Sequence, residues 1–218
     1  MNSNFSNTVN KLMKILMWKV IADFYSFFGL KKNASELFPL KVGDKLPDHE
    51  LVDHVGNNVK IYDYINDEPA IVKFYRGTWC PFCSTELREY NELLNQDEYK
   101  NVNLLAISPE EPDYSLRSED IEKLNMRIFS DTENKYAQKL RLVHSTSSLF
   151  YKIDRFNNVN KNRTKKRTGY ELPIPATYVV DKNKIIRYAW ISDDYKYRAY
   201  PPQVMTEWEK INRSQGNN

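Results

Sequence analysis

The sequence predicts an α/β fold: a central mixed β-sheet flanked by helices in three layers, with an N-terminal helical extension. Three observations predict it. An apolar run of strand length, Ala70-Ile-Val-Lys-Phe-Tyr75, is followed by helical spacing from Phe82 to Leu94. A second short apolar strand follows within 101–108 (Val102, Leu104, Leu105, Ala106, Ile107), and a crossover of that length joins two parallel strands. Two β-rich runs, 176–180 and 185–191, flank the turn Asp181-Lys-Asn-Lys184 and read as a hairpin.

The remaining elements follow in order. Residues 1–37 form the predicted helical extension, because Leu12, Ile15, Leu16, Val20, Phe24 and Phe27 recur three and four apart. Lys14, Lys19 and Asp23 interrupt that run, which argues against a spanning helix and against a cleavable signal peptide. Such a helix packs on the domain or on a dimer partner, lies on a membrane surface with its lysines beside aromatic bulk, or serves as an uncleaved signal anchor. Residues 38–51 read as an extended lead-in, with Gly43, Pro47 and the pair Gly56-Asn57 supplying turns. A helix is expected over 115–124 and a strand over 127–130. Asp131 is expected to cap a helix over 133–140. Lys161, Arg163, Lys165, Lys166 and Arg167 mark 155–169 as an exposed basic loop, or an anion- or partner-docking one. A short helix over 202–211 ends the redox domain, 38–213, and 214–218 is a disordered tail.

Composition narrows the function. The 218 residues suit one domain with extensions, and 41% hydrophobic residues can build a core. Lys plus Arg number 32 against 29 acidic residues, a balance that gives no case for nucleic acid as a partner. Both cysteines of the chain lie in Trp79-Cys80-Pro81-Phe82-Cys83, so no disulfide scaffold holds this fold. Zinc would need two more ligands, and His49, His54 and His144 lack paired spacing, so no metal or cofactor is expected.

What remains for the pair is thiol chemistry. It sits where a buried strand hands over to a helix, whose first turn offers unpaired N–H groups and a partial positive charge. Such settings lower a cysteine from about 8.5 to about 3.5–7.5 and expose the reactive thiolate. Pro81 suits the first helical position, where no N–H is needed.

Phe74-Tyr-Arg-Gly-Thr-Trp-Cys-Pro-Phe-Cys83, followed by Glu86-Leu87-Arg88, resembles the peroxiredoxin-like branch of the alkyl hydroperoxide reductase and thiol-specific antioxidant family. Lys41-Val-Gly-Asp-Lys-Leu-Pro47, Leu105-Ala-Ile-Ser-Pro109 and Leu172-Pro-Ile-Pro-Ala-Thr-Tyr-Val-Val-Asp181 extend the resemblance over 38–189, in the family's order. It implies a thioredoxin-like fold, and a peroxide or disulfide substrate. Typical members carry Thr three residues before the peroxide-attacking cysteine; here Cys83 takes the attacking place and Cys80 that of the Thr. Pro175 stands where the family has an Arg. It looks instead like the proline of thioredoxin's recognition groove, which implies a cis Ile174–Pro175 bond.

Two mechanisms use the same sulfurs. In the peroxidase reading, Cys83 attacks peroxide and Cys80 resolves the sulfenic acid to a disulfide, which a thioredoxin- or glutathione-type thiol donor resets. In the thioredoxin- or glutaredoxin-like reading, Cys80 attacks a substrate disulfide and Cys83 resolves it. A third reading is a non-catalytic binding module. Supporting residues are Pro175 along the groove, Trp79 as a cover over the site or plain core, and Arg76 and Thr78. The last two either stabilise the thiolate and polarise peroxide or are surface and loop residues. The absence of a cleavable signal predicts a cytoplasmic location with the pair reduced, membrane association through the N-terminal helix being the alternative.

Overall fold

The structure, a computed structural model, describes residues 38–65, 68–112, 124–145 and 171–216, all within the compact unit Asn33–Asn218. The N-terminal extension, all but the last residue of the expected 115–124 helix, and the basic loop 155–169 lie outside the described residues.

Nine strands and three α-helices are described. A hairpin, β1 (Glu50–Asp53) and β2 (Asn58–Lys60), turns at Gly56, whose φ of +98° suits glycine. β3 (Ala70–Phe74) leads through a tight loop into α1 (Pro81–Leu94), which returns to β4 (Asn103–Ser108). β5 (Arg127–Ser130), α2 (Lys135–Lys139) and β6 (Val143–Ser145) follow. β7 (Glu171–Pro173), the hairpin β8 (Ala176–Val180) and β9 (Ile186–Ile191), and α3 (Pro201–Gly216) complete the chain.

Seven strands form one mixed sheet in the order β2-β1-β5-β4-β3-β8-β9, and β6 pairs with β7 apart from it. β3 lies parallel to β4 and antiparallel to β8. With neighbours on both edges and helices or loops on both faces, β3 is buried at every position. Its side chains alternate. Ala70, Val72 and Phe74 enter one core with Leu105, Phe129, Tyr136 and Tyr178, while Ile71 and Tyr75 enter the other with Leu87, Tyr90, Val204 and Trp208 of α1 and α3. The cysteines belong to this second core. Trp208 Nε1 donates to Pro69 O (2.9 Å), tying α3 to the start of β3.

Three expectations need correction. The N-cap of α2 is Asn134, in left-handed conformation (φ 53°), not Asp131; the Asp131 carboxylate still accepts the N–H groups of Tyr136 (3.2 Å) and Ala137 (2.9 Å) from a distance in sequence. α3 runs through Gly216, past the expected limit and into the supposed tail, and Gln215 Oε1 accepts Lys182 N–H (3.2 Å) from the β8–β9 turn. No peptide bond among the described residues is cis, so Ile174–Pro175 is trans. Ile174 N–H donates to Leu142 O (2.7 Å) and Pro175 O accepts Ser192 N–H (3.2 Å), holding an extended path from β7 into β8, the conformation favoured before proline.

Candidate active site

β3 stops pairing at Tyr75, whose N–H donates to Ile107 O (3.0 Å), and the chain turns away through Arg76 and Gly77. Gly77 has a φ of +137°, and a Cβ there would lie 2.4 Å from Trp79 Nε1 and 2.8 Å from Glu110 Cδ. Only glycine meets both demands. Cys80 N–H closes the turn on Gly77 O (3.2 Å), and Cys80, extended at φ −83°, ψ 115°, becomes the N-cap of α1. Pro81 fills the first helical position, which puts Cys83 third. Ser84 Oγ donates to Thr78 O (2.6 Å) and fastens the loop to the helix.

Both cysteines are free thiols, 2% and 0% exposed. The sulfur environment is unequal. Arg198 Nη2 stands 3.2 Å from Cys83 Sγ and 3.9 Å from Cys80 Sγ. Burial alone would raise Cys83, but hydrogen bonding from Cys80, the Arg198 charge, and the Arg76 backbone N–H and guanidinium outweigh it and hold Cys83 well below the usual thiol range. Cys80 is pushed well above that range by burial first and then by its neighbour Cys83. The geometry describes a Cys83 thiolate that receives a hydrogen bond from a Cys80 thiol.

A buried ionic lattice supports this arrangement. Lys73, the fourth residue of β3 and 1% exposed, donates to Glu86 Oε1 (2.5 Å) and to Thr177 Oγ1 (3.3 Å). Glu86 Oε2 lies 3.6 Å from Arg198 Nη1, so Glu86 positions both cations. Burial lowers Lys73 and Glu86 opposes it. Arg76 is sandwiched between aromatic faces, 4.9 Å over the Trp79 ring and 4.4 Å over that of Tyr195. Tyr195 also meets Phe82 of α1 edge to face (5.8 Å), so the segment after β9 closes over the pair.

Of the residues singled out in the sequence, Cys80, Cys83, Trp79, Thr78 and Arg76 come together. Arg76 is 2% exposed and part of the wall, which corrects its reading as a surface residue. Thr78 binds Glu110: its N–H and Oγ1 donate to the carboxylate (2.7 and 3.1 Å). Pro175 is buried one residue before Ala176, the partner of Phe74, at the end of the sheet from which the cysteine loop leaves. The cations at the sulfurs come from Arg198 and Arg76. Sequence reasoning missed Arg198, Lys73 and Glu110. Lys73 left a signal, a lone charge in an apolar strand; Arg198, in the aperiodic run Tyr195-Lys-Tyr-Arg-Ala-Tyr200, left none that spacing could interpret.

Residues 42–189 match the AhpC/TSA family. The chain is 25% identical over 166 residues to a 1-Cys peroxiredoxin of Dictyostelium discoideum, covering 72% of this chain and 67% of that protein. It is 27% identical over 190 residues to the thiol-disulfide oxidoreductase ResA of Geobacillus thermodenitrificans, covering 85% and 86%. Two Mycobacterium tuberculosis relatives, 31% identical over 94 residues, are spanned over 59% of their length. Among solved structures, the peroxidoxin BcpB of Mycobacterium tuberculosis superposes with a TM-score of 0.60 at 17% identity, over 79% of this chain and 98% of that one. With a thioredoxin-like sheet carrying a polarised thiol pair, and with these relatives, the chain belongs to the AhpC/TSA family of thiol-dependent oxidoreductases.

Proposed function

We propose that this protein is a thiol peroxidase in which Cys83 attacks and Cys80 resolves. The observation that carries the reading is the asymmetry at the sulfurs: guanidinium and backbone N–H gather on Cys83, the deeper cysteine. The Cys83 thiolate attacks one peroxide oxygen and the O–O bond breaks. The leaving alkoxide or hydroxide takes up a proton, leaving Cys83 as a sulfenic acid. The Cys80 thiol then condenses with it, forming the disulfide and releasing water. An external thiol donor of thioredoxin or glutathione type reduces the disulfide through a mixed disulfide and is itself oxidised. Arg198 supports the departing oxygen as well as the thiolate, since preorganised donors act where charge develops.

The likeness to ResA over most of the chain favours one second reading, disulfide exchange initiated by Cys80. That route needs a Cys80 thiolate, which its burial and its neighbour both oppose. Family membership weighs against a non-catalytic module.

The test is peroxide consumption with a thiol donor, with sulfenic acid trapping, in Cys80→Ser and Cys83→Ser. Cys83→Ser is expected to abolish both, while Cys80→Ser accumulates trapped sulfenic acid. A mixed disulfide trapped through Cys80 in Cys83→Ser, together with protein-disulfide reduction and absent peroxide consumption in the wild type, would favour the exchange reading.

A further inference from the structure

The oxidative half of this cycle has an unfilled proton requirement. A thiolate, a thiol and a peroxide give a disulfide, an alcohol and water only if one proton is added, because the leaving alkoxide must be protonated. We propose that Glu110 is the proton-exchanging partner of the cysteine pair, releasing a proton as the disulfide forms and recovering it as the pair is reduced. This rests on the dithiol–disulfide reading of Cys80 and Cys83.

Glu110 is 0% exposed, two residues beyond the end of β4, and its hydrogen-bond donors on Thr78 are neutral. Thr78 N–H and Oγ1 donate to its two carboxylate oxygens, and Trp79 N–H donates as well. The carboxyl carbon lies so close over Gly77 that a Cβ there would reach it at 2.8 Å. It is therefore built into the loop that delivers Cys80. The groups facing it are Tyr75 at the end of β3, held protonated by burial, and the Cys83 thiolate on α1. Arg76 lies over the Trp79 ring, 4.9 Å from its centroid. Burial, opposed by the Thr78 and Trp79 hydrogen bonds and reinforced by the Cys83 charge, pushes Glu110 up to about 7.

Cys83 loses its charge when the disulfide forms, and the repulsion that favours protonated Glu110 disappears with it. The oxidative half then balances within the protein: protonated Glu110, Cys83 thiolate, Cys80 thiol and peroxide become Glu110 carboxylate, disulfide, alcohol and water. In the reductive half a donor dithiol supplies two protons, one to Cys80 and one to Glu110, and two electrons to the disulfide. The cysteine pair and Glu110 together carry one negative charge in both states, opposite the same fixed cations. Keeping that charge constant avoids the cost of creating or losing a buried ion at each turnover.

The test is proton uptake from weakly buffered solution per disulfide formed, when reduced protein is treated with one equivalent of peroxide, in wild type and Glu110→Gln. Wild type is expected to take up clearly less than one proton near about pH 6–7 and one proton above about pH 8.5, whereas Glu110→Gln takes up one throughout. Equal uptake of one proton by both proteins across that range would overturn the proposal and leave the cysteine cycle standing. Disulfide failing to form in wild type would overturn the cycle itself. Should Glu110→Gln not fold, the wild-type redox equilibrium against a thiol couple of known proton stoichiometry decides. At constant potential, after correction for the protons of that couple, its ratio of reduced to oxidised protein is expected to steepen below about pH 8, from about tenfold towards about a hundredfold per pH unit, one further proton. A constant tenfold slope would overturn the proposal.

Discussion

Arg198 Nη2 stands 3.2 Å from Cys83 Sγ and 3.9 Å from Cys80 Sγ, so one guanidinium, 115 residues from Cys83 in sequence, joins the Cys80 hydrogen bond in favouring charge on Cys83. Glu86 holds that guanidinium through its second oxygen, and Lys73 holds Glu86. The Cys83 sulfur is thus polarised through a chain of side chains from β3, α1 and the segment after β9.

Arg198→Met is expected to raise Cys83 towards the ordinary thiol range and to slow peroxide consumption by about 10²–10³-fold, the usual cost of one preorganised donor. Arg198→Lys keeps the charge but loses the planar fork and is expected to fall between the two. Stopped-flow peroxide kinetics across pH checks both. An unchanged rate in Arg198→Met would remove Arg198 from the mechanism.

Breaking the lattice at Glu86 leaves Lys73 and Arg198 as buried like charges. Glu86→Gln is expected to destabilise by about 3–5 kcal/mol, the range for an orphaned buried charge. Lys73→Met leaves Glu86 the Arg198 partner at 3.6 Å and is expected to cost less. Urea unfolding of the two variants gives the order.

How much of this was legible in the sequence depends on the range of the signal. β3, α1, β4 and the β8–β9 hairpin follow from local periodicity and turn residues, and the structure places them within one or two residues of expectation. The cysteine pair at the helix start was legible because Pro81 and the preceding strand are adjacent in sequence. Asp131 was recognised as a capping group but assigned one helix turn too literally, because its carboxylate reaches Tyr136 and Ala137 past a left-handed Asn134. Pro175 carried a resemblance whose cis bond the extended route from β7 to β8 does not use. Arg198 and Glu110 meet the cysteines only through tertiary folding, which no spacing encodes.

Glu110 gives stability a pH dependence of definite sign. Its folded pKa, about 7, exceeds the ordinary carboxyl value of 4.5, so the folded state binds more protons between those values. Its stabilisation is full below the lower value and is lost as pH rises through the upper one, by about 3 kcal/mol in total. Glu110→Gln is expected to abolish that slope in denaturation midpoints measured from about pH 4.5 to 8.

Gly77→Ala is expected to disturb the loop rather than the core, because the added Cβ meets Trp79 and Glu110 and the residue sits at φ +137°. A loss of about 1–3 kcal/mol fits such strain, alongside a slower thiol reaction. Thermal unfolding and peroxide kinetics on the same sample separate the two effects.

The central claim, that negative charge in the reduced site belongs to Cys83 and not to Cys80, is tested most directly by ultraviolet thiolate absorbance titrated against pH. Wild type is expected to keep its thiolate signal well below the ordinary thiol range, Cys80→Ser to retain a low-pH signal, and Cys83→Ser to lose it. A low-pH thiolate that survives in Cys83→Ser and vanishes in Cys80→Ser would contradict the account.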